Sequence, residues 1–329
     1  MDKLENLRTQ FIAIQQKTRA GDIFQSIGEV LSDTLTQVKV QPKTPVQLPE
    51  NGDDALAKMK AYSQRLDNHR SGDGLDMVSD ADLHLAAAQL ANPLPKYRDT
   101  GAFFFLSDVI QNDLLSDEQM RWLTSYLISD DVLFSHIFEP NNAAIYQRSF
   151  SILVLSLLLF TQRTKSAFMA PQQLAIVINQ IALYVAIERD TRGFIGTNGW
   201  AHAFTHIGNA VAEVLMMPQL LRADKLFLLA SMLAGYRELQ QPLNMGETER
   251  LVEVTMYSAN AHPLYHDYIL LTLKLWRKDL VTRQPPQNEG RWHQMYNRAR
   301  FFNAIILRGK DNVPEKIFNY VSETRDFLT

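Results

Sequence analysis

His202 and His206 stand four residues apart, and in a helix that spacing puts both imidazoles on one face. Such a pair can supply two ligands to a metal ion. The metalloprotease version of the motif has a glutamate directly after the first histidine. Here Ala203 occupies that position, so that general base is absent. A third ligand has to come from elsewhere, and Glu188 and Asp190 are the acids best placed to fold back across the loop punctuated by Gly193, Gly196 and Gly199. His202, His206 and Asp190 together would suit zinc or another divalent metal with open positions. Trp200 precedes the pair, Asn209 continues its face, and Arg192 could clamp an anion. Without a metal, the same residues would make a polar pocket for a peptide, a partner protein or a small anionic ligand. The plainer alternative is that both rings line a helix–helix contact and bond to Glu188, Asp190 or backbone. His262 and His266 repeat the spacing with no polar cluster around them, so the spacing by itself is not specific.

Two smaller groups add to this. Arg148 and Ser149 open the most apolar stretch of the chain, where a guanidinium beside a hydroxyl can hold an anion. No nucleophile-elbow pattern surrounds that serine. Arg98 and Asp99 open another expected helix, with Asp99 suited to a helix N-terminus. For both arginines an ion pair within the fold is the simpler use.

These residues need elements to hold them, and the periodicity is helical nearly throughout. Leu4, Leu7, Phe11 and Ile14 form a stripe within a first stretch that reads as one or two amphipathic helices. Residues 41–54 carry Pro42, Pro45, Pro49 and Gly52 and read as a linker, so residues 1–75 are expected as an N-terminal helical segment or arm. A helix over about 54–66 follows, then a turn at Ser71-Gly72-Asp73-Gly74. From residue 76 to 329 a helical-repeat domain is expected. Polar or proline-bearing helix openers recur at Ser116, at Ala170-Pro171 and at Arg222, each after an apolar helix. Asn198 is the expected N-cap of the helix that carries the two histidines. Helix, turn and helix at a period of tens of residues is the mark of stacked hairpins. The expected fold is therefore all-α, as a HEAT-like α-solenoid or an irregular α/α superhelix.

Composition narrows the function classes. The 329 residues include no cysteine, which removes disulfides, thiolate nucleophiles and cysteine-ligated zinc. Net charge is −3, so no global field draws the chain to nucleic acid or anionic membrane. The apolar run Phe150–Phe160 falls short of the roughly 20 residues of a membrane span. No basic and apolar leader opens the chain, and a cytoplasmic setting is expected. Residues 274–316 interleave basic residues with Trp276, Trp292, Tyr296, Phe301 and Phe302. That mixture can bind nucleic acid, but aromatics at helical spacing are more often core, with the neighbouring cations reaching past them to solvent.

The chain resembles a family of uncharacterised bacterial proteins, mostly from Firmicutes, classed as a domain of unknown function. The likeness rests on Arg98-Asp99, on Arg148-Ser149-Phe150-Ser151, on Glu188-x-Asp190-x-Arg192-Gly193, and above all on Gly199-Trp200-Ala201-His202 with His206. It spans roughly residues 80–260. It implies an all-helical fold and brings no established activity. The family pattern usually has aspartate where this chain has Asn209, which weakens a metal site using that position. The Gly-Trp-Ala-His string is also similar to the Ala-His-Gly motif of lanthionine-forming cyclases. Those use cysteine ligands to zinc, which this chain lacks.

Three functions compete: a binding or scaffold protein centred on Glu188–Asn209, a metal-dependent hydrolase-like enzyme using His202 and His206 with a carboxylate, and a nucleic-acid binder acting through the basic C-terminal segment.

Overall fold

A computed structural model describes residues 3–68, 77–282 and 285–323, and the expected turn at 71–74 lies outside these. Among the described residues the protein is all-α. The helices are α1 (Lys3–Ala20), α2 (Ile27–Leu35), α3 (Gly52–Asn68), α4 (Asp80–Gln89), α5 (Pro95–Tyr97), α6 (Phe104–Gln111), α7 (Asp117–Leu127), α8 (Asp130–Leu133), α9 (Ala144–Thr164), α10 (Pro171–Ile187), α11 (Ala203–Met216), α12 (Arg222–Arg237), α13 (Glu247–Ala261), α14 (Pro263–Thr282), α15 (Glu289–Leu307) and α16 (Glu315–Glu323). A π-helical turn, Arg98–Phe103, joins α5 to α6. The only β feature among the described residues is an isolated antiparallel bridge between Phe194 and Trp200.

The chain divides into two compact units. The first comprises residues 1–39, 178–191 and 214–329; the second comprises residues 40–177 and 192–213.

In the first unit, α1 buries the stripe Leu4, Leu7, Phe11 and Ile14, and α1 and α2 both pack on α12. Phe11 meets Phe227 edge to face at 6.0 Å. Asp224 anchors the same contact, taking Arg19 at 2.6 Å and Gln15 at 3.1 Å. The end of α10 and α12 approach so closely that a Cβ on Gly235 would stand 2.4 Å from the Val185 carbonyl oxygen, so only glycine fits there. Tyr236, Trp276 and Phe301 form one aromatic cluster. The basic C-terminal segment is thus partly core: Trp276, Phe301 and Phe302 are buried, while Trp292 and Tyr296 are exposed and stack on each other.

In the second unit, α9 is the central helix, packed by α6, α7 and α8. It is longer than the apolar run that predicts it. By length and hydropathy it could cross a membrane, yet 78% of its apolar window is buried among the protein's own residues. Ser116 caps α7 and Gln119 returns the bond, which completes the capping box expected of a helix opener. Arg163 of α9 pairs with Glu213 of α11 at 2.8 Å. Residues 38–51 run without helix before α3; the main-chain N–H of Gln41 donates to Phe138, and that of Thr44 to the Glu139 carboxylate.

Candidate functional site

The residues before α11 do not start a helix at Asn198. Gly196 and Gly199 hold positive φ of 48° and 70°, and the chain closes a hairpin first. The Ala201 amide donates to the Gly193 carbonyl at 2.7 Å and the Ile195 amide to Gly199 at 2.8 Å. A side chain at Gly199 would be strained by its φ and would also place a Cβ 2.9 Å from Pro95. His202 then takes the N-cap position: its carbonyl accepts from the His206 amide at 3.1 Å, and its φ is +53°. Asn198 lies in a short 3-10 turn instead.

This hairpin sets Trp200 flat against His202, with ring centres 3.9 Å apart and planes 9° from parallel. Phe194 meets Trp200 edge to face at 5.0 Å. Phe194 and Trp200 are 52% and 41% exposed, large values for aromatic side chains.

The two histidines share a neighbourhood without sharing an environment. Their ring centres are 6.3 Å apart and tilted by 54°. His206 is buried against the edge of Phe150. Its Nδ1 lies 2.9 Å from the Ser149 main-chain carbonyl. A carbonyl only accepts, so Nδ1 carries the proton and Nε2 the lone pair. Burial pulls the His206 pKa down to about 4, the bond to Ser149 opposes this, and His202 and Arg98 reinforce it. His206 is therefore a neutral ring at neutral pH.

Beneath the hairpin lies Arg98, fully buried. It sits over the rings of Tyr146 at 4.3 Å and Phe150 at 4.7 Å, residues one turn apart on α9. Its Nε donates to Asp99 at 2.7 Å. One terminal nitrogen donates to the carbonyls of Asn92 and Pro93; the other donates to Asp99 and, at 2.9 Å, to the Asn198 carbonyl. A guanidinium has five N–H donors, and all five are used. No donor is left over, and the residue ties the hairpin to the turn before α5. The π-helical turn sets Arg98 and Asp99 at this point, and Gly101 within it lies in close contact with Leu56 and Met59 of α3. Burial raises the Asp99 carboxyl above its ordinary range, with Arg98 acting against the shift.

The remaining expected residues fall elsewhere. Buried Arg148 donates to the Ser135 carbonyl at 2.8 Å, and the Ser149 hydroxyl donates back to the Tyr146 carbonyl. Arg192 donates to the Asn142 carbonyl at 2.6 Å. Asn209 is half-buried on α11. Glu188 and Asp190 belong to the first unit, whereas Arg192 and the residues up to Glu213 belong to the second. The Glu188 carboxylate accepts from the amides of Arg189 and Asp190, both at 2.9 Å, and so closes the chain at the end of α10. Arg189 is partly buried there, donating to the carbonyls of Ala186 and Glu188, and desolvation lowers its pKa.

Among the described residues no three His, Asp or Glu side chains form a group that could hold a metal ion. Of the expected ligands, His202 stacks on Trp200, His206 bonds the Ser149 carbonyl through Nδ1, and Asp190 belongs to the first unit.

The fold thus brings together Arg98, Asp99, Trp200, His202 and His206. Sequence reasoning missed Tyr146 and Phe194. The signals available were the i, i+4 pairing of Tyr146 with Phe150 and the position of Phe194 inside the glycine loop.

No curated protein and no solved structure matches the chain. The profile of one family does match, over residues 133–307, which include the hairpin and every helix from α9 to α15. With more than half of its length matched, the chain belongs to that family, described as a protein of unknown function (DUF2785).

Proposed function

We propose that the protein is a binding or scaffold protein whose recognition surface is the aromatic hairpin of the second unit, and that its ligand is a peptide segment of a partner protein rich in apolar side chains. The observation that carries this reading is the exposure of Phe194 and Trp200 on a hairpin fixed from below by buried Arg98. Large aromatics held rigidly lose little conformational freedom on binding, and they are common anchors of protein interfaces. His202, stacked on Trp200, holds the indole in place. The neutral His206 adds no charge, which favours an apolar rather than an ionic partner group.

The test is a peptide display library selected on the wild-type protein, with selected peptides titrated against Trp200→Ala and Phe194→Ala. Each substitution removes a surface anchor, so unliganded melting should change little and affinity should fall by about tenfold or more. A library that yields no binder, or binders indifferent to both changes, would overturn the reading.

A further inference from the structure

The second unit holds a cavity of about 530 Å³ between the non-helical residues 46–50 and helices α4, α7, α8 and α9. That volume suits a small molecule. Its walls are held in place. Buried Gln89 donates to the Glu50 carbonyl at 2.8 Å, and Thr44 donates to Glu139 from its amide at 2.9 Å and from its hydroxyl at 2.6 Å. The non-helical segment is thereby fixed on either side of the wall it supplies. Tyr126 stacks on Trp122 with planes 15° apart and hydrogen-bonds Gln147, another wall residue.

His136 is set into this wall at a cost. Its φ of +50° is an unfavourable conformation for a residue other than glycine. Its Nδ1 lies 2.9 Å from the Glu139 carboxylate. Burial would raise the Glu139 carboxyl, but hydrogen bonds from Thr44 and His136 outweigh it and hold the group below its ordinary range. Glu139 is thus ionised and only accepts, so Nδ1 carries the proton. The neutral ring then has one acceptor, Nε2, left to offer a ligand.

Charge and shape narrow the occupant. Glu50 and Asp131 line the cavity, both are exposed, and neither has an ion-pair partner among the described residues. No lysine or arginine is among the residues described as lining it. The surrounding stretch, residues 80–140, carries ten acids and three bases. A cleft lined by one sign of charge draws the opposite sign. Among the described residues no three acids and histidines form a group that could hold a metal ion, which leaves an organic cation. Two carboxylates suit two ammonium groups, which only donate. Val46, Leu48, Ala88 and Ala91, also in the wall, suit a short alkyl body between them.

We propose that this cavity binds a short aliphatic diamine, its ammonium groups taken by Glu50 and Asp131 and its alkyl body laid against Val46 and Ala88. The site shares no residue with the hairpin surface and does not depend on it.

Calorimetric titration of the full chain with diaminobutane, butylamine, butanoate and sorbitol at low salt tests this, with melting followed in parallel. Binding of diaminobutane with a rise in melting temperature is the expected result, with butylamine about tenfold weaker. Asp131→Asn and Glu50→Gln each remove one charge, and each should weaken the diamine by about tenfold. Both side chains are exposed, so unliganded melting should change little and a loss of binding is not a loss of fold. Glu118→Gln, an exposed acid of α7 outside the cavity, should bind like wild type. The proposal is overturned if diaminobutane does not bind at millimolar concentration, or if butylamine, butanoate or sorbitol binds as well. It is equally overturned if either carboxylate variant binds the diamine like wild type, or if Glu118→Gln weakens it as much as Asp131→Asn.

Discussion

Arg98 in the second unit and Arg237 in the first are both guanidiniums paired to an aspartate, yet they behave as opposites. Arg98 is fully buried and spends every N–H on a carbonyl or on Asp99. Arg237 is less deeply placed, shares its aspartate with Arg298, and leaves Nε unmatched. A saturated arginine reads as architecture, because nothing remains to hold a ligand. An unsaturated one keeps an N–H whose desolvation is not offset by a bond. Burial alone would rank them the other way round.

That contrast can be broken most directly at Arg98. Arg98→Ala strands Asp99 and three carbonyls, and urea unfolding should report a loss of roughly 3–5 kcal/mol. A loss below about 1 kcal/mol would show that the saturated network is not structural.

His206 in the same network gives the next effect. Its folded pKa of about 4 lies below the ordinary 6.5, so the unfolded chain binds more protons between those values. Its contribution is fully present above about pH 6.5 and is lost as the pH falls toward 4, amounting to about 3 kcal/mol. His206→Phe removes this dependence. Unfolding measured across that window should show a flatter curve for the variant, and parallel curves would contradict the buried, neutral ring.

Gly199→Ala tests the grip on the hairpin. Its positive φ and the contact with Pro95 predict a loss of about 2 kcal/mol, read by thermal melting. The smallest effect belongs to the first unit. Tyr268→Phe removes a buried hydroxyl whose one side-chain partner, Thr272, is held at long range, so stability should stay within about 0.5 kcal/mol of wild type. A clear destabilisation would mean that the contact with Thr272 is a full-strength hydrogen bond.

Much of the fold was legible because it was written locally. The α1 stripe and the Ser116 to Gln119 capping box each fit within one or two helical turns. The centre of the site was legible for the same reason, since Trp200, His202 and His206 are neighbours in sequence. What stayed hidden depended on distance along the chain. Tyr146 and Phe150 look like ordinary core aromatics until Arg98, dozens of residues earlier, lies over them. Residues 50, 131 and 136 share no motif, so nothing in the sequence announces their cavity. The helix start was misplaced because Asn198 is a good capping residue by type, whereas two positive-φ glycines close a hairpin before a helix can begin. The surroundings of the two histidines were hidden for a related reason: spacing fixes where imidazoles sit, but not what their nitrogens bond.

The π-helical turn at Arg98–Phe103 has a consequence for length variation in this region. A π turn holds one residue more than an α turn, so deleting a single residue there would leave a continuous α-helix. Every side chain before the deletion would be rotated by about 100° relative to those after it. Arg98 would swing away from the Asn198 carbonyl, and the hairpin would lose its tether while helical content barely changed. Circular dichroism would be nearly blind to such a lesion, whereas the emission of Trp200 would register it.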